Sequence, residues 1–313
     1  MSAGVRTTVV VVTWRGRGLI GRCLDALAAQ TLSHWVLVVD NASTDGTAEE
    51  IAAHPLRPRV LRMTRNTGYA GALAAALPHV STPFTAWLND DAQPEPGWLA
   101  ALEKALDDDD GAAAAASVLY DRDGTVTSTG VALTRIGYGR DTTGGRPFGF
   151  CGGAALLRTD ALHAAGGVPD SLFCYYEDTD TSWRLRLAGY AVLAVPSARV
   201  RHVGGASARH GTPAFHRWNE RNRLLVLLRC APAGVAVREL ARFAGLTLVL
   251  PWRRARAHPR GIAAAPNFAL GLRLRVLAEI AARVPTTLVA RYRIGRRANV
   301  ARAVVWSSWA GRC

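Results

Sequence analysis

The stretch FTAWLNDDAQP, residues 84–94, decides how this chain is read. Five residues suited to a buried strand end in an amide and two adjacent carboxylates, Asn89-Asp90-Asp91. Neighbouring carboxylates repel each other, so the strand gains nothing locally from such an ending. Either it simply emerges into water, or something cationic sits at its end.

Strand-like and helix-like segments alternate before it. A β-branched run at residues 7–13 predicts a first strand, residues 19–30 a helix, and residues 35–39 a second strand. A helix after STDGT, a short strand at 60–63, a helix at 70–77 and the strand at 84–88 follow. Continuous apolar strands separated by amphipathic helices predict a parallel sheet covered on both faces. Ligands of such sheets sit outside the carboxyl ends of the strands. Those ends are polar here: Thr13-Trp14-Arg15, Asp40-Asn41, Thr64-Arg65-Asn66 and Asn89-Asp90-Asp91. After a helix at 98–106 and a solvated acidic run at 107–110, residues 118–130 (VLYDRDGTVTSTG) predict a hairpin.

With 313 residues, 49% of them hydrophobic, the chain can bury a large core as one domain, or one domain plus an appendage. No apolar run approaches the ~20 residues of a membrane-spanning helix. The N-terminus lacks a signal-peptide pattern, so a cytoplasmic location is expected. Five scattered cysteines without a CxxC pair predict neither a disulfide framework nor a structural zinc site. Charge is lopsided: residues 1–200 carry a net −4, whereas residues 201–313 carry 21 Arg against 3 Glu, a net +18. Such a region suits an anionic partner. No nucleic-acid recognition module accompanies it, so no nucleic-acid partner is expected. Two readings of the basic region remain, a helical appendage closing the ligand edge of the sheet or a face lying on an anionic membrane on its cytoplasmic side.

Two stretches before residue 84 carry ligand-binding logic. In VVDNASTDGT (residues 38–47), Asp40 precedes a capped turn and is available to a ribose or base. In NTGYAGAL (residues 66–73), glycines permit close backbone approach at a helix N-terminus. A rival signal is Gly16-Arg17-Gly18-Leu19-Ile20-Gly21, a GxGxxG with Asp40 19 residues beyond it. That pattern predicts an NAD(P)-dependent oxidoreductase. Against it, Trp14 and Arg15 separate the first glycine from the strand, and Arg17 adds bulk where backbone should meet pyrophosphate.

In order along the chain, VVVVTW, VVDNASTDGT, RNTGYAGAL, WLNDDAQP, FCGGAALLR, YYEDTDTSWRLRLAGY and VRHVGG resemble the family-2 glycosyltransferases. The resemblance spans roughly residues 6–225 and is nearest the rhamnosyl- and galactofuranosyl-transferase-like branch. It implies an α/β fold of GT-A type, a Rossmann-like mixed sheet flanked by helices, with a basic and mainly helical C-terminal extension. Residues 1–205 would form the catalytic domain, with a nucleotide-sugar half over about 1–95 and an acceptor half over about 96–205. Residues 206–313 would form the extension.

The resemblance also implies an inverting transfer of a sugar, TDP-rhamnose being the first guess at a donor, to an acceptor hydroxyl. That acceptor is a glycan, a lipid-linked intermediate or a small molecule. The strand end Asn89-Asp90-Asp91 corresponds to the family's DxD motif, with Asn in its first place. By that correspondence Asp91 and His202 hold Mg²⁺ or Mn²⁺, while Thr13, Asp40, Asn66, Gly68, Asn89 and Asp90 meet the nucleotide sugar. Asp178 becomes the general base, and Cys151, Gly152, Gly153 and Glu177 line the acceptor side. Read without the resemblance, His202 is an ordinary strand histidine, the glycines are tight packing, and Glu177 and Asp180 favour a helix start. Trp183 and Arg184 suit a core position and a salt bridge; Arg221-Asn222 takes no assigned role. A third reading keeps the fold without catalysis, as a binding protein.

Overall fold

The computed structural model describes residues 4–202, 211–256 and 266–312. Strands and helices alternate as β1 (Thr7–Thr13), α1 (Ile20–Ala28), β2 (Trp35–Asp40), α2 (Thr47–Ala53), β3 (Arg59–Arg62), α3 (Gly68–Ala76) and β4 (Phe84–Asn89). Next come β5 (Ala92–Pro94), α4 (Trp98–Asp107), β6 (Ala112–Tyr120), β7 (Val126–Ser128), β8 (Val131–Leu133) and β9 (Gly139–Asp141). Then follow β10 (Ala154–Arg158), α5 (Thr159–Ala164), α6 (Glu177–Ala188) and β11 (Ala191–His202). The C-terminal region is helical: α7 (Pro213–Cys230), α8 (Ala233–Arg256), α9 (Leu270–Arg296) and α10 (Arg302–Trp309). The expected boundary at 205/206 lies outside the described residues.

Among the described residues one nine-stranded sheet has the order β3-β2-β1-β4-β10-β6-β11-β5, with β7 beside β6. The expected parallel pairing holds for β3, β2, β1 and β4. β10 interrupts it by running antiparallel to both β4 and β6, and parallel pairing resumes between β6 and β11. The reason is the connection. A crossover helix returns the chain to the starting edge before each of β2, β3 and β4. Residues 121–153 contain only short strands and turns, so the chain stays at the carboxyl edge and β10 runs back from there. The predicted hairpin at 118–130 is present as β6 and β7.

Alternation along the strands sorts the core into two layers. Val9, Val11, Val38, Phe84 and Leu88 pack with α1 and α4 through Leu24, Leu27, Trp98 and Leu102. Val10, Val39 and Trp87 pack on the other face with Leu73 and Ala76 of α3 and with Leu162 of α5. A third cluster joins α6 to α7–α10 through Trp183, Leu187, Leu224, Val276 and Ile280. Trp183 is thus the core residue its pattern predicts.

Asp180 fixes the same junction electrostatically. It is fully buried, and it accepts from Arg184 Nε at 2.6 Å and Arg229 Nε at 2.7 Å. Burial alone would raise its pKa, but the two guanidiniums outweigh burial and hold it below the ordinary value. Asp180 is therefore an anchor between α6 and α7. Asp180→Ala strands two largely buried cations and should cost about 3–5 kcal/mol. Urea unfolding checks this; a loss under about 1 kcal/mol would contradict the assignment.

Candidate active site

Register, more than proximity in sequence, assembles the site. Val12 pairs with Asn89 across β1 and β4, and Thr13 pairs with Asp40 across β1 and β2. The ends of three strands therefore finish level. Ala154 of β10 pairs with Leu88, so the preceding Cys151-Gly152-Gly153 faces the end of β4. The Asn89 amide donates to the Gly153 carbonyl at 3.0 Å. At the far edge β11 pairs antiparallel with β5, His202 opposite Ala92. That pairing sets the His202 ring beside Asp91.

One cavity of about 560 Å³ opens along this edge. Of the expected residues, Asn66, Gly68, Asn89, Asp90, Asp91, Cys151, Gly152, Gly153, Glu177, Asp178 and His202 line it. Thr13 and Asp40 do not; both stand buried behind its wall. Thr13 Oγ1 donates to Asp90 Oδ2 at 2.6 Å. Asp40 Oδ1 accepts from the Ser43 amide at 2.9 Å. Its Oδ2 has no hydrogen-bond partner, and the Arg62 guanidinium lies 3.8 Å away. Asn41, one residue on, ties two strand-end loops together. Its Nδ2 donates to Asn66 Oδ1 and to the Gly68 carbonyl, and its Oδ1 accepts from the Thr67 amide.

His202 Nε2 lies 3.1 Å from Asp91 Oδ1 and 3.2 Å from Asn89 Nδ2. One ring nitrogen cannot donate to the carboxylate and accept from the amide at once. Burial disfavours the charged ring, but the hydrogen bond to Asp91 and its charge outweigh burial and raise the His202 pKa. Burial pushes Asp90 up to about 7, with the Thr13 hydrogen bond opposing and the Asp91 charge adding. Among the described residues no cluster of three or more His, Cys, Asp and Glu side chains could hold a metal ion. Asp91 and His202 form a pair. A carboxylate oxygen and an imidazole with the remaining positions open suit a divalent ion shared with a substrate's oxygens.

Across the cavity Asp178 accepts from the Gly152 amide at 3.0 Å through Oδ2, and from the Thr179 amide at 2.5 Å through Oδ1. Burial raises its pKa despite these bonds. Glu177 is pushed up to about 8, first by burial and then by the Asp178 charge. Its Oε2 is buried with no hydrogen-bond partner. No side-chain cap is formed at the start of α6, but Glu177, Asp178 and Asp180 all lie in its first turn, where a negative charge favours the helix dipole.

Sequence reasoning missed what holds this pair in place. Phe173, Tyr175 and Tyr176 have φ of 67°, 70° and 73°, left-handed conformations that side chains disfavour. Asn222 Nδ2 lies 2.9, 2.8 and 2.8 Å from the carbonyls of Leu172, Cys174 and Tyr175. Arg221 Nη2 donates to the Leu172 carbonyl at 2.7 Å. The Phe173 carbonyl accepts from the Ala70 amide, and a Cβ on Gly68 would collide with that carbonyl. The otherwise unexplained Arg221-Asn222 pair thus clamps the strained turn that presents Glu177 and Asp178. From α7, Phe215, Trp218 and Asn219 also line the cavity, as do Arg140 and Asp141 of β9. No motif marked any of them.

The GxGxxG segment makes no anion site. The Glu50 carboxylate accepts from the Gly18 and Gly21 amides at 2.8 and 3.1 Å, and Asp45 accepts from the Arg17 amide at 3.3 Å. A pyrophosphate would find those donors occupied by negative charge. Gly16 is needed for another reason, since a Cβ there would collide with Thr13 Oγ1 and Asp90 Oδ2. The oxidoreductase reading loses its cofactor site.

The family model described as Glycosyl transferase family 2 matches residues 8–166. The chain belongs to this glycosyltransferase family. An N-acetylglucosaminyl-diphospho-decaprenol L-rhamnosyltransferase of Mycobacterium tuberculosis is 28% identical over 243 residues, which span 66% of this chain and 79% of that one. Two similar solved structures carry a nucleotide ligand and Mn²⁺. GalNAc-T7 with UDP, GalNAc and Mn²⁺ has a TM-score of 0.60 at 14% identity, over 91% of this chain and 58% of that one. The Pyrobaculum calidifontis mannosyltransferase PcManGT with GDP-Man and Mn²⁺ has a TM-score of 0.57 at 22% identity, over 98% and 88%. S. aureus TarS 1–349 with UDP scores 0.54 at 18% identity, over 97% and 91%. These likenesses show the GT-A fold.

The clamp on the strained turn is directly testable. Asn222→Ala leaves buried carbonyls without a donor and should destabilise the protein by about 1–3 kcal/mol. Hydrogen exchange should accelerate over residues 172–177. Unchanged exchange there would show that Asn222 does not hold the turn.

Proposed function

We propose that this glycosyltransferase moves a sugar, with inversion, from a nucleoside-diphosphate donor to an acceptor hydroxyl with help from a divalent cation. The observation that carries this reading is the charge of the cavity. Asp90, Asp91, Asp141, Glu177 and Asp178 line it, against Arg140 and His202. A diphosphate entering alone would face five acidic side chains against one arginine and one histidine. Accompanied by a cation it would not.

Asp91 and His202 are the residues that would hold that ion, which when bound offsets charge growing on the departing diphosphate. Asn66, which lines the cavity, would meet the nucleoside, while Asp40, buried behind the wall, would order the adjoining turn through the Ser43 amide. The close approach of Gly68 to the turn at Phe173 would shape the floor beneath the sugar. Asn89 and Asp90, held by Gly153 and Thr13, would orient the donor. Asp178, fixed by the Gly152 and Thr179 amides, would take the proton of the acceptor hydroxyl as that oxygen attacks the anomeric carbon. Attack by an activated hydroxyl on the face opposite the leaving diphosphate inverts the centre in one displacement. Glu177 and the Cys151-Gly152-Gly153 segment would flank the acceptor.

The relative's name pairs a rhamnosyl donor with a diphospholipid acceptor. That supports TDP-rhamnose as first donor to test and a lipid-linked glycan as first acceptor. No helix among the described residues is long and apolar enough to cross a membrane, so a lipid-linked acceptor would be met at a surface.

Asp178→Asn should lower kcat by about 10²–10⁴-fold, leaving donor affinity within a few fold. Because burial raises the Asp178 pKa, wild-type kcat should fall as pH drops through a value above the ordinary carboxylate range. The anomeric proton couplings of the product should report inversion. An active Asp178→Asn variant, or a retained configuration, would overturn this mechanism.

A further inference from the structure

A second and larger cleft, about 830 Å³, lies between the α5–α6 connection and α9, and none of its lining residues lines the active-site cavity. Its walls carry His163, Arg184, Arg229, Arg293 and Arg297, against one lining carboxylate, Asp170. Arg184 and Arg229 are 3% and 14% exposed in their side chains and share the single buried carboxylate Asp180. Two buried guanidiniums on one carboxylate leave a fixed positive charge in the floor. Arg293 in the last turn of α9 and Arg297 at its C-cap are exposed, and neither has a carboxylate partner among the described residues. Four arginines thus face two acids. A cleft of this kind selects an anion, and planar guanidiniums suit a phosphate.

The flank of the same helix says which source of phosphate fits. Leu288, Val289 and Tyr292 are 50%, 49% and 65% exposed, and Val289 itself lines the cleft. An apolar strip beside an arginine-lined cleft matches a bilayer surface, where acyl chains lie next to headgroup phosphates. A free phosphate would leave that strip without purpose. We propose that this cleft receives the phosphate headgroup of an anionic lipid, with Leu288 and Tyr292 seated at the acyl boundary, so that α9 docks the enzyme on an anionic membrane. The inference does not rest on the catalytic reading, and its test reads vesicles rather than sugar transfer.

The full chain is sedimented with phosphatidylcholine vesicles with and without phosphatidylglycerol. Wild type should bind only the anionic vesicles. Arg293→Glu/Arg297→Glu should weaken that binding at least about tenfold, since each basic residue near the surface contributes separately. A charge-matched control outside the cleft, Arg22→Glu on α1 with Arg59→Glu on the edge strand β3, should stay within about threefold. Leu288→Ser/Tyr292→Ser, which alters no charge, should also weaken binding, and circular dichroism should show all variants folded. Equal loss in both charge reversals would reduce the effect to net charge and overturn the proposal. So would thermal stabilisation by glycerol phosphate or inorganic phosphate without vesicle binding, which would assign the cleft to a free phosphate.

Discussion

The hydrogen bond from the Asn89 amide to the Gly153 carbonyl is where the two halves of the active site meet. It exists because β10 runs antiparallel to β4, and that follows from a connection without a crossover helix. One strand end supplies Asn89, Asp90 and Asp91; the facing segment supplies the Gly152 amide that fixes Asp178. A register shift of one residue would turn every side chain of the strand to the opposite face. The 3.0 Å backbone bond therefore sets the separation between the Asn89-Asp90-Asp91 strand end and the segment that holds the Asp178 carboxylate.

Around that junction the chain stores charge and strain that the rest of the fold must hold. Glu177 and Asp178 are neighbours in a buried site; burial is the larger cause that raises the pKa of each, the Asp178 charge adding to it at Glu177 and the Asp141 charge at Asp178. Three left-handed side-chain-bearing residues precede them. A lone loop would relax. Asn222 and Arg221 of α7 bind its carbonyls, and Asp180 locks α6 to α7 through Arg184 and Arg229. The basic C-terminal region is therefore structurally continuous with the site. It grips the segment that carries the acids, and it contributes Phe215, Trp218 and Asn219 to the cavity wall.

Much of this was legible in the sequence. Continuous apolar runs located the strands, and polar residues after them located the edge where ligands belong. The parallel expectation failed at β10 because periodicity reports burial on both faces but not strand direction. The GxGxxG pattern misled because spacing cannot reveal that Glu50 and Asp45 already occupy its amides. Arg221-Asn222 carried no readable signal, since its meaning lies in carbonyls about 50 residues upstream. Asp141 was invisible for a similar reason: a two-stranded ribbon brings β9 to the cavity mouth. Thr13 and Asp40 were placed on the correct strand ends, yet only the packing shows them behind the wall.

The central claim is that the carboxylate-rich cavity admits a nucleoside diphosphate only together with a divalent ion. The direct measurement is thermal stability of the purified protein with UDP, TDP, GDP or NAD, each with Mn²⁺ and with chelator. At about 100 times its dissociation constant a ligand adds about 2.7 kcal/mol of stability, a readily visible shift. The account predicts that one nucleoside diphosphate stabilises the protein with Mn²⁺ and not with chelator, and that Asp91→Ala abolishes the shift. Equal stabilisation with and without metal, or stabilisation by NAD alone, would contradict it.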